Sequence, residues 1–382
     1  VTDKGSLVPL KMLLFSFHGA NTMVVSFLPL LLAYRGLTGQ EVGWVLAVGP
    51  TVSIFSQPFW GFMSDKYQTV RRILIIVTCG LLISSAVFFQ MKTLILILIS
   101  AIFFYFFVSP IGPLADSLAQ RRASALGVSF GAIRTWGSIG FAASALLVGQ
   151  LLDWIGIQYL AIPYLFMGTL VLIVSFRIVD VKVETAPVQL KDIHKLIKNY
   201  RLLIYLAVLL LVTITHRAND SFIGLFIREL GGRDRLVGWA WFVGVASEAA
   251  VFAFAGKWFR KFHPLIFMTT AGLLFAGRWL LYGVVDSPSI IVVLQVFHGL
   301  CFGVFYLASF QYVSRLIPVE LQATGHLMFM TVFFGISGII GSLGGGFIIE
   351  QYGGHALYFT MAAFALVGSM LIMLYHMVQR RA

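Results

Sequence analysis

Glu248, Arg278 and His298 stand inside long apolar stretches of this 382-residue chain. A charge near the centre of a bilayer costs about 2.5–3.5 kcal/mol on insertion scales, so each such residue asks for a reason. Together the three types suit proton traffic. Burial favours the neutral form of a carboxylic acid, an approaching guanidinium restores the anion, and an imidazole can donate, accept or titrate near neutral pH. Glu248 is therefore expected to carry a proton, with Arg278 as its movable partner and His298 in the same site. The competing reading is a fixed structural salt bridge.

Other polar residues recur in the same setting. Arg217 and Asp220 are three apart and can pair along one helix face. If that pair is functional, Asp220 suits an outer gate or a second proton station, with Asn219 and His216 completing it. Asp116 and Arg134 fall at similar depth on consecutive helices, where they can meet as a clamp or as part of a site. His18 and Asn21 share a helix face, and an amide in lipid is costly unless it faces a cavity, so contact with substrate is expected there. His326 reads as interfacial. Gly335, Gly338, Gly341 and Gly344 form a ladder at helical spacing that lets two backbones approach. Pro110 and Pro113 remove backbone donors and bend their helix.

The elements that hold these residues are membrane spans. Hydrophobic residues make up 59% of the chain and charged residues only 11%, far below the roughly 25% charged residues of soluble domains. A crossing of the ~30 Å hydrocarbon core takes about 20 apolar residues, which leaves room for about twelve helices and no soluble catalytic domain. Apolar runs place six spans near 7–34, 41–63, 73–91, 93–119, 127–152 and 158–178. Six more fall near 201–228, 236–257, 264–284, 288–316, 323–350 and 355–377. The expected organisation is a six-helix bundle over 1–179, a cytoplasmic linker over 180–200 and a second bundle over 201–382. Within the linker, Leu190–Asn199 alternates apolar and charged residues in the pattern of a helix lying on headgroups, or of a solvated connector. By rise per residue, Glu248 lies roughly 18 Å and His298 roughly 15 Å inside their spans.

Basic residues orient the chain. Of 27 Lys and Arg, Arg35, Lys92, Arg228, Arg233 and Arg235 fall on one side and Arg134, Arg217 and Arg278 within spans, which leaves nineteen on the other. Both termini are thus expected in the cytoplasm, with the first apolar run a retained span in an inner membrane. The formal charge of +12 follows from this insertion bias, not from nucleic-acid binding. Cys79 and Cys301, the two cysteines present, lie apart in apolar runs and make neither a disulfide framework nor a metal cluster. No H-E-x-x-H, C-x-x-C or P-loop spacing occurs, so neither an enzyme, a metal site nor a cofactor is expected.

The chain also repeats itself. A shift of 195 residues lays Gly43–Lys66 over Gly238–Lys261 without a gap, matching Gly43-Trp44 to Gly238-Trp239, Val48-Gly49 to Val243-Gly244 and Gly61 to Gly256. A shift of 197 places Gly149, Asp153 and Gly156 over Gly346, Glu350 and Gly353. Two structural copies of this kind permit a central site to be exposed to either side in turn.

The loop after the second span, with Gly61, Asp65 and Lys66, resembles the G-x-x-x-D-[R/K]-x-G-[R/K]-[R/K] motif of the major facilitator superfamily, where it supports gating. The later glycine is replaced by Gln68, and the basic pair is displaced to Arg71-Arg72. Within that superfamily, Gln57-Pro58-Phe59-Trp60-Gly61, Ile133–Phe141 and Phe297-His298-Gly299-Leu300 look most like the group of lactose-permease-like, nucleoside and phenylpropionate proton symporters. The resemblance implies an all-α membrane fold of two pseudo-symmetric six-helix bundles. It also implies that Glu248, Arg278 and His298 take the places of that group's coupling residues, and that Asp116 and Arg134 are substrate ligands. The group's further glutamate, three residues after the histidine, is Cys301 here, so coupling needs a different distribution of protonatable groups. The expected function is monomeric, proton-coupled uptake of a small solute such as a sugar, nucleoside or aromatic acid, by alternating access. A proton-driven drug or metabolite efflux antiporter is the alternative, and the absence of proline from Gly137–Gly149 favours symport.

Overall fold

Residues 7–180, 196, 198–258, 263–318 and 321–381 are described by the structure, a computed structural model. Among them helix is the only regular secondary structure. Most of the linker, including the amphipathic stretch at Leu190–Asn199 apart from Leu196, Lys198 and Asn199, lies outside the described residues, as do Arg260 and Lys261.

The helices follow the expected order. The first, α1, runs over Val8–Ser26 and, after a 41° bend, Leu28–Tyr34. Next come α2 (Gly39–Lys66), α3 (Val70–Phe88), α4 (Leu94–Val108 and Ile111–Leu126), α5 (Phe130–Ile155) and α6 (Ala161–Ser175). The second half holds α7 (Tyr200–Glu229), α8 (Asp234–Trp258), α9 (Pro264–Val284) and α10 (Pro288–Leu316). A final apolar stretch, Thr324–Gln379, is 56 residues long, or about 84 Å of helix against a core of ~30 Å, so one crossing cannot contain it. It breaks at Gly353, whose φ of 82° is left-handed, giving α11 (322–352) and α12 (354–381). Among the described residues, ten stretches qualify as spans by length and hydropathy, the bent α1 adds one, and the break at Gly353 adds another.

Local chemistry sets the ends of these helices. Thr38 caps α2 in a reciprocal box with Glu41: the Glu41 N–H donates to Thr38 Oγ1 at 3.3 Å and the Thr38 N–H to Glu41 Oε2 at 2.9 Å. Such caps satisfy donors that have no partner within the helix. Pro110 caps the second half of α4, where the expected break falls between Val108 and Ile111.

Left-handed glycines mark the same joints in both halves. Gly36 and Gly231, 195 residues apart, have φ of 88° and 82°; Gly156 and Gly353, 197 apart, have φ of 98° and 82°. Both offsets equal the sequence shifts of the repeat.

Contacts divide the chain into two compact units, Val1–Thr185 with Arg233–Phe242, and Ala186–Gly232 with Val243–Ala382. In the first, α1 packs on α5 and α6. Gly140 makes this possible, since a Cβ there would strike the Phe15 backbone, and Thr22 Oγ1 donates to the Phe141 carbonyl at 3.0 Å across the same seam. In the second unit, α11 and α12 pack on α7 and α9. There Gly341 rides on α7, a Cβ at that position falling 2.9 Å from Ala218 N and from Ile214 O. Gly344 of the expected ladder faces open space, and Gly345, outside that ladder, takes the next close approach, against Phe222. Close packing is the main attraction between helices in lipid, where burial of apolar surface gives little.

Candidate functional site

The second unit gathers its polar residues around an irregular turn of α10. Gly299–Gly303 is a π-helical turn, a form that frees backbone groups and occurs often at functional sites. One freed donor, the Gly299 N–H, reaches Ser247 Oγ on α8 at 2.8 Å. Gly299 has no side chain to hold the helices apart, and an added Cβ would lie 2.7 Å from Glu248 N and nearer still to the Ser247 carbonyl. The residues beside these two contact points, His298 and Glu248, thereby meet, with Nε2 and Oε2 3.7 Å apart. The histidine side chain is 8% accessible and the glutamate 24%, so Glu248 is the open end of the pair.

Arg278 does not touch Glu248, the partner expected from the sequence. Its Nη1 lies 3.3 Å from His298 Nδ1, its Nη2 donates to Tyr282 Oη at 3.0 Å and to the side-chain oxygen of Gln295, and its guanidinium stacks 4.8 Å over Trp279. The imidazole therefore stands between acid and base. With the Arg278 guanidinium on Nδ1, that nitrogen acts as acceptor, leaving Nε2 to carry a proton toward Glu248. Gln295 and Tyr282, which hold the arginine, drew no attention in the sequence. Tyr282 follows Arg278 by one helical turn on α9, whereas Gln295 lies beyond the loop to α10, where spacing gives no periodic signal.

A second carboxylate lies on α7. Asp220 Oδ2 accepts from Arg217 Nη1 at 2.7 Å and lies 3.5 Å from His216 Nε2, so the expected intrahelical pair is present and His216 joins it. The His216 ring lies 5.6 Å from that of His298, and both stack on Phe302, at 4.4 and 5.5 Å. Asn219 turns elsewhere and accepts from Tyr358 Oη at 3.1 Å. Adjacent helix positions point about 100° apart, which is why Asn219 and Asp220 part company.

In the first unit, Asp116 Oδ1 on α4 meets Arg134 Nε on α5 at 3.1 Å, with side chains 35% and 33% accessible. His18 of α1 lies beside them: a Cβ on Gly137 would sit 2.5 Å from both His18 Cδ2 and Arg134 Nη1. His18 Nε2 is buried without a hydrogen-bond partner among the described residues. Asn21 is half-buried on the same helix. Acid, guanidinium, imidazole and amide offer acceptors and donors of the kind that bind hydroxyls or a carboxylate. His326 bridges α10 and α11, with Nε2 2.8 Å from Ser314 Oγ and its ring stacked on Phe310.

The loop between α2 and α3 is tied down on two sides. Asp65 lies 3.8 Å from Arg121 of α4, and Lys66 lies over the Tyr67 ring. Gln68, in the place of the motif's second glycine, adopts a left-handed φ of 51° and donates from Nε2 to the Asp65 carbonyl at 2.7 Å. Asp180, beyond α6, accepts from Thr69 Oγ1 at 2.6 Å and from the Arg71 N–H at 2.8 Å. Gly61 has nothing within 4 Å of where a Cβ would be. No group of three His, Cys, Asp or Glu among the described residues could hold a metal ion.

Residues 7–361 match the MFS_1 like family. The chain belongs to that family. It is 28% identical over 360 residues to "Uncharacterized transporter YwbF" of Bacillus subtilis (strain 168), covering 93% of this chain and 89% of that one. With the maltose permease of Geobacillus stearothermophilus it shares 28% over 350 residues, or 88% and 86% of the two chains. The crystal structure of the nucleoside transporter NupG superposes with a TM-score of 0.87 at 15% identity, over 97% of this chain and 98% of that one, which establishes the shared fold. This member of the MFS_1 like family is a multi-pass cell-membrane protein with the major facilitator fold, and a secondary transporter, not an enzyme.

Proposed function

We propose that this transporter is a proton-coupled symporter that takes up a small organic solute of the sugar, nucleoside or aromatic-acid class by alternating access. The observation that carries the reading is the Glu248–His298–Arg278 series, an accessible acid joined through an imidazole to a buried guanidinium. Loss or gain of a proton at Glu248 changes the charge facing His298, and the arginine held by Gln295 and Tyr282 supplies a fixed counter-field. Asp116, Arg134, His18 and Asn21 serve as substrate ligands. Asp220 is a second proton station beside His216. The loop of Gly61, Asp65 and Lys66 controls gating, both termini lie in the cytoplasm, and the protein works as a monomer in the lipid bilayer without a cofactor. The bundles span 1–179 and 201–382, joined by a linker over 180–200.

The test is transport in liposomes for a panel of sugars, nucleosides, aromatic acids and lipophilic cations, with the pH gradient imposed in each direction. Proton-driven uptake of one panel member, with Glu248→Gln losing uphill accumulation but keeping counterflow, is the expected result. Outward movement of lipophilic cations in exchange for protons would install an efflux antiporter instead.

A further inference from the structure

A groove of about 410 Å³ runs along the outer face of the second unit between α7 and α12, within the ~300–1,000 Å³ range of small-molecule pockets. Its walls are Ile204, Val208, Leu371, Leu374 and Val378, and its mouth is framed by Tyr200, Arg201, Tyr375 and Gln379. The rows from 201 to 208 and from 371 to 379 each extend roughly 10 Å along their helices, so the groove is a channel parallel to the helix axes. Its lower part is wholly apolar.

The mouth is fixed by a chain of hydrogen bonds. Tyr312 Oη donates to Gln379 Oε1 at 2.7 Å, Gln379 Nε2 donates to Tyr375 Oη at 2.7 Å, and Tyr375 Oη donates to the Arg201 carbonyl at 3.1 Å. That chain pins the end of α12 to the start of α7 and holds the groove at a set width. The Arg201 guanidinium itself is left outside it. Its Nε donates to Tyr200 Oη at 3.3 Å, and no carboxylate among the described residues pairs with it. Lys198 is exposed three residues away.

We infer that this groove binds one acidic phospholipid, with an acyl chain in the apolar channel and the headgroup phosphate on Arg201 and Tyr200. The complementarity is of two kinds. Tyr200 and Tyr375 place amphipathic rings at one end of α7 and α12, the level that aromatic belts occupy. A guanidinium there, bonded to Tyr200 Oη and with no carboxylate partner among the described residues, matches an anionic phosphate, a preference worth about fivefold per basic group near the surface. A neutral lipid fits the channel but leaves the cation without a counter-charge among the described residues. The inference is independent of what the protein transports.

Native mass spectrometry of the full-length protein, titrated in detergent with phosphatidylglycerol or phosphatidylcholine, tests it. One phosphatidylglycerol is expected to be retained about fivefold more tightly. Arg201→Gln is expected to bring the two lipids to parity, while Arg177→Gln, at the exposed end of α6, leaves the preference intact. Val208→Trp fills the channel and is expected to remove retention. Equal binding of both lipids by the unaltered protein, or a preference that survives Arg201→Gln, would overturn the inference. Arg201 is exposed, so its variant folds and the outcome remains decisive even where the tryptophan variant does not.

Discussion

Replacing Gly299 with alanine places a methyl group 2.7 Å from Glu248 N. Ordinary van der Waals contact begins near 3.4 Å, so α8 and α10 must separate by at least about 0.7 Å at this point, and by more at the nearer Ser247 carbonyl, against backbone atoms that cannot rotate away. Overpacking of this kind costs about 1–3 kcal/mol. The same displacement stretches the His298–Glu248 contact from 3.7 Å to about 4.4 Å. The Nε2–H of the neutral imidazole then faces Glu248 from farther beyond hydrogen-bonding distance, and weakening that polar contact costs about 0.7 kcal/mol, in the lower part of the net range for a hydrogen bond and about threefold in an equilibrium constant. Two readouts follow. The thermal midpoint in detergent should drop, and uphill accumulation in liposomes should fall about threefold with counterflow retained. Gly344→Ala is the control, since it faces open space and alanine favours a helix by about 1 kcal/mol. A Gly299→Ala protein as stable as the parent, with accumulation unchanged, would refute the argument that this glycine sets the acid–imidazole distance.

Further tests address other parts of the molecule. Arg134→Ala and Asp116→Asn should each weaken substrate binding roughly tenfold or more, as charged hydrogen bonds contribute about 1.5–3 kcal/mol; unchanged affinity by calorimetry would remove the pair from the site. Gln68→Val should lower the thermal midpoint and Gln68→Gly preserve or raise it, because a left-handed residue costs about 1–2 kcal/mol unless it is glycine; the reverse order would contradict the φ of 51°. Gly341→Ala should destabilise where Gly344→Ala does not, measured side by side on the same helix.

Span number, the position of every crossing and the duplicated halves were legible because lipid imposes a length and a composition on each helix. The repeat was readable from the ungapped match of Gly43–Lys66 to Gly238–Lys261 and the second match at a shift of 197, and the shared left-handed glycines agree with it. Pairs on one helix were also legible: Arg217 and Asp220 meet because three residues nearly complete a turn. Contacts between helices were less so. Arg278 was expected on Glu248, but His298 intervenes, and which of two nearby partners a guanidinium takes depends on the rotation of each helix. Gln295, Tyr282 and Phe302 went unnoticed because neutral and aromatic residues are ordinary in spans. Gly299 was seen only as part of a motif, since nothing in its neighbours reveals a π turn. The glycine ladder predicted a seam, and Gly341 lies in it while Gly344 faces open space.

The π turn of α10 has a consequence for anyone altering this helix. An α-turn advances about 100° per residue, and a π turn accommodates one residue more than its flanks require. Removing a single residue from Gly299–Gly303 would heal the helix into regular geometry with its two flanks in nearly the phase they hold now. His298 and Gln295 would keep facing Glu248 and Arg278, whereas the same deletion from a regular turn of α10 would swing them away by about 100°. The spare residue thus makes this turn a place where α10 can lose a residue in phase, and indel scanning would read it where substitution scanning is blind.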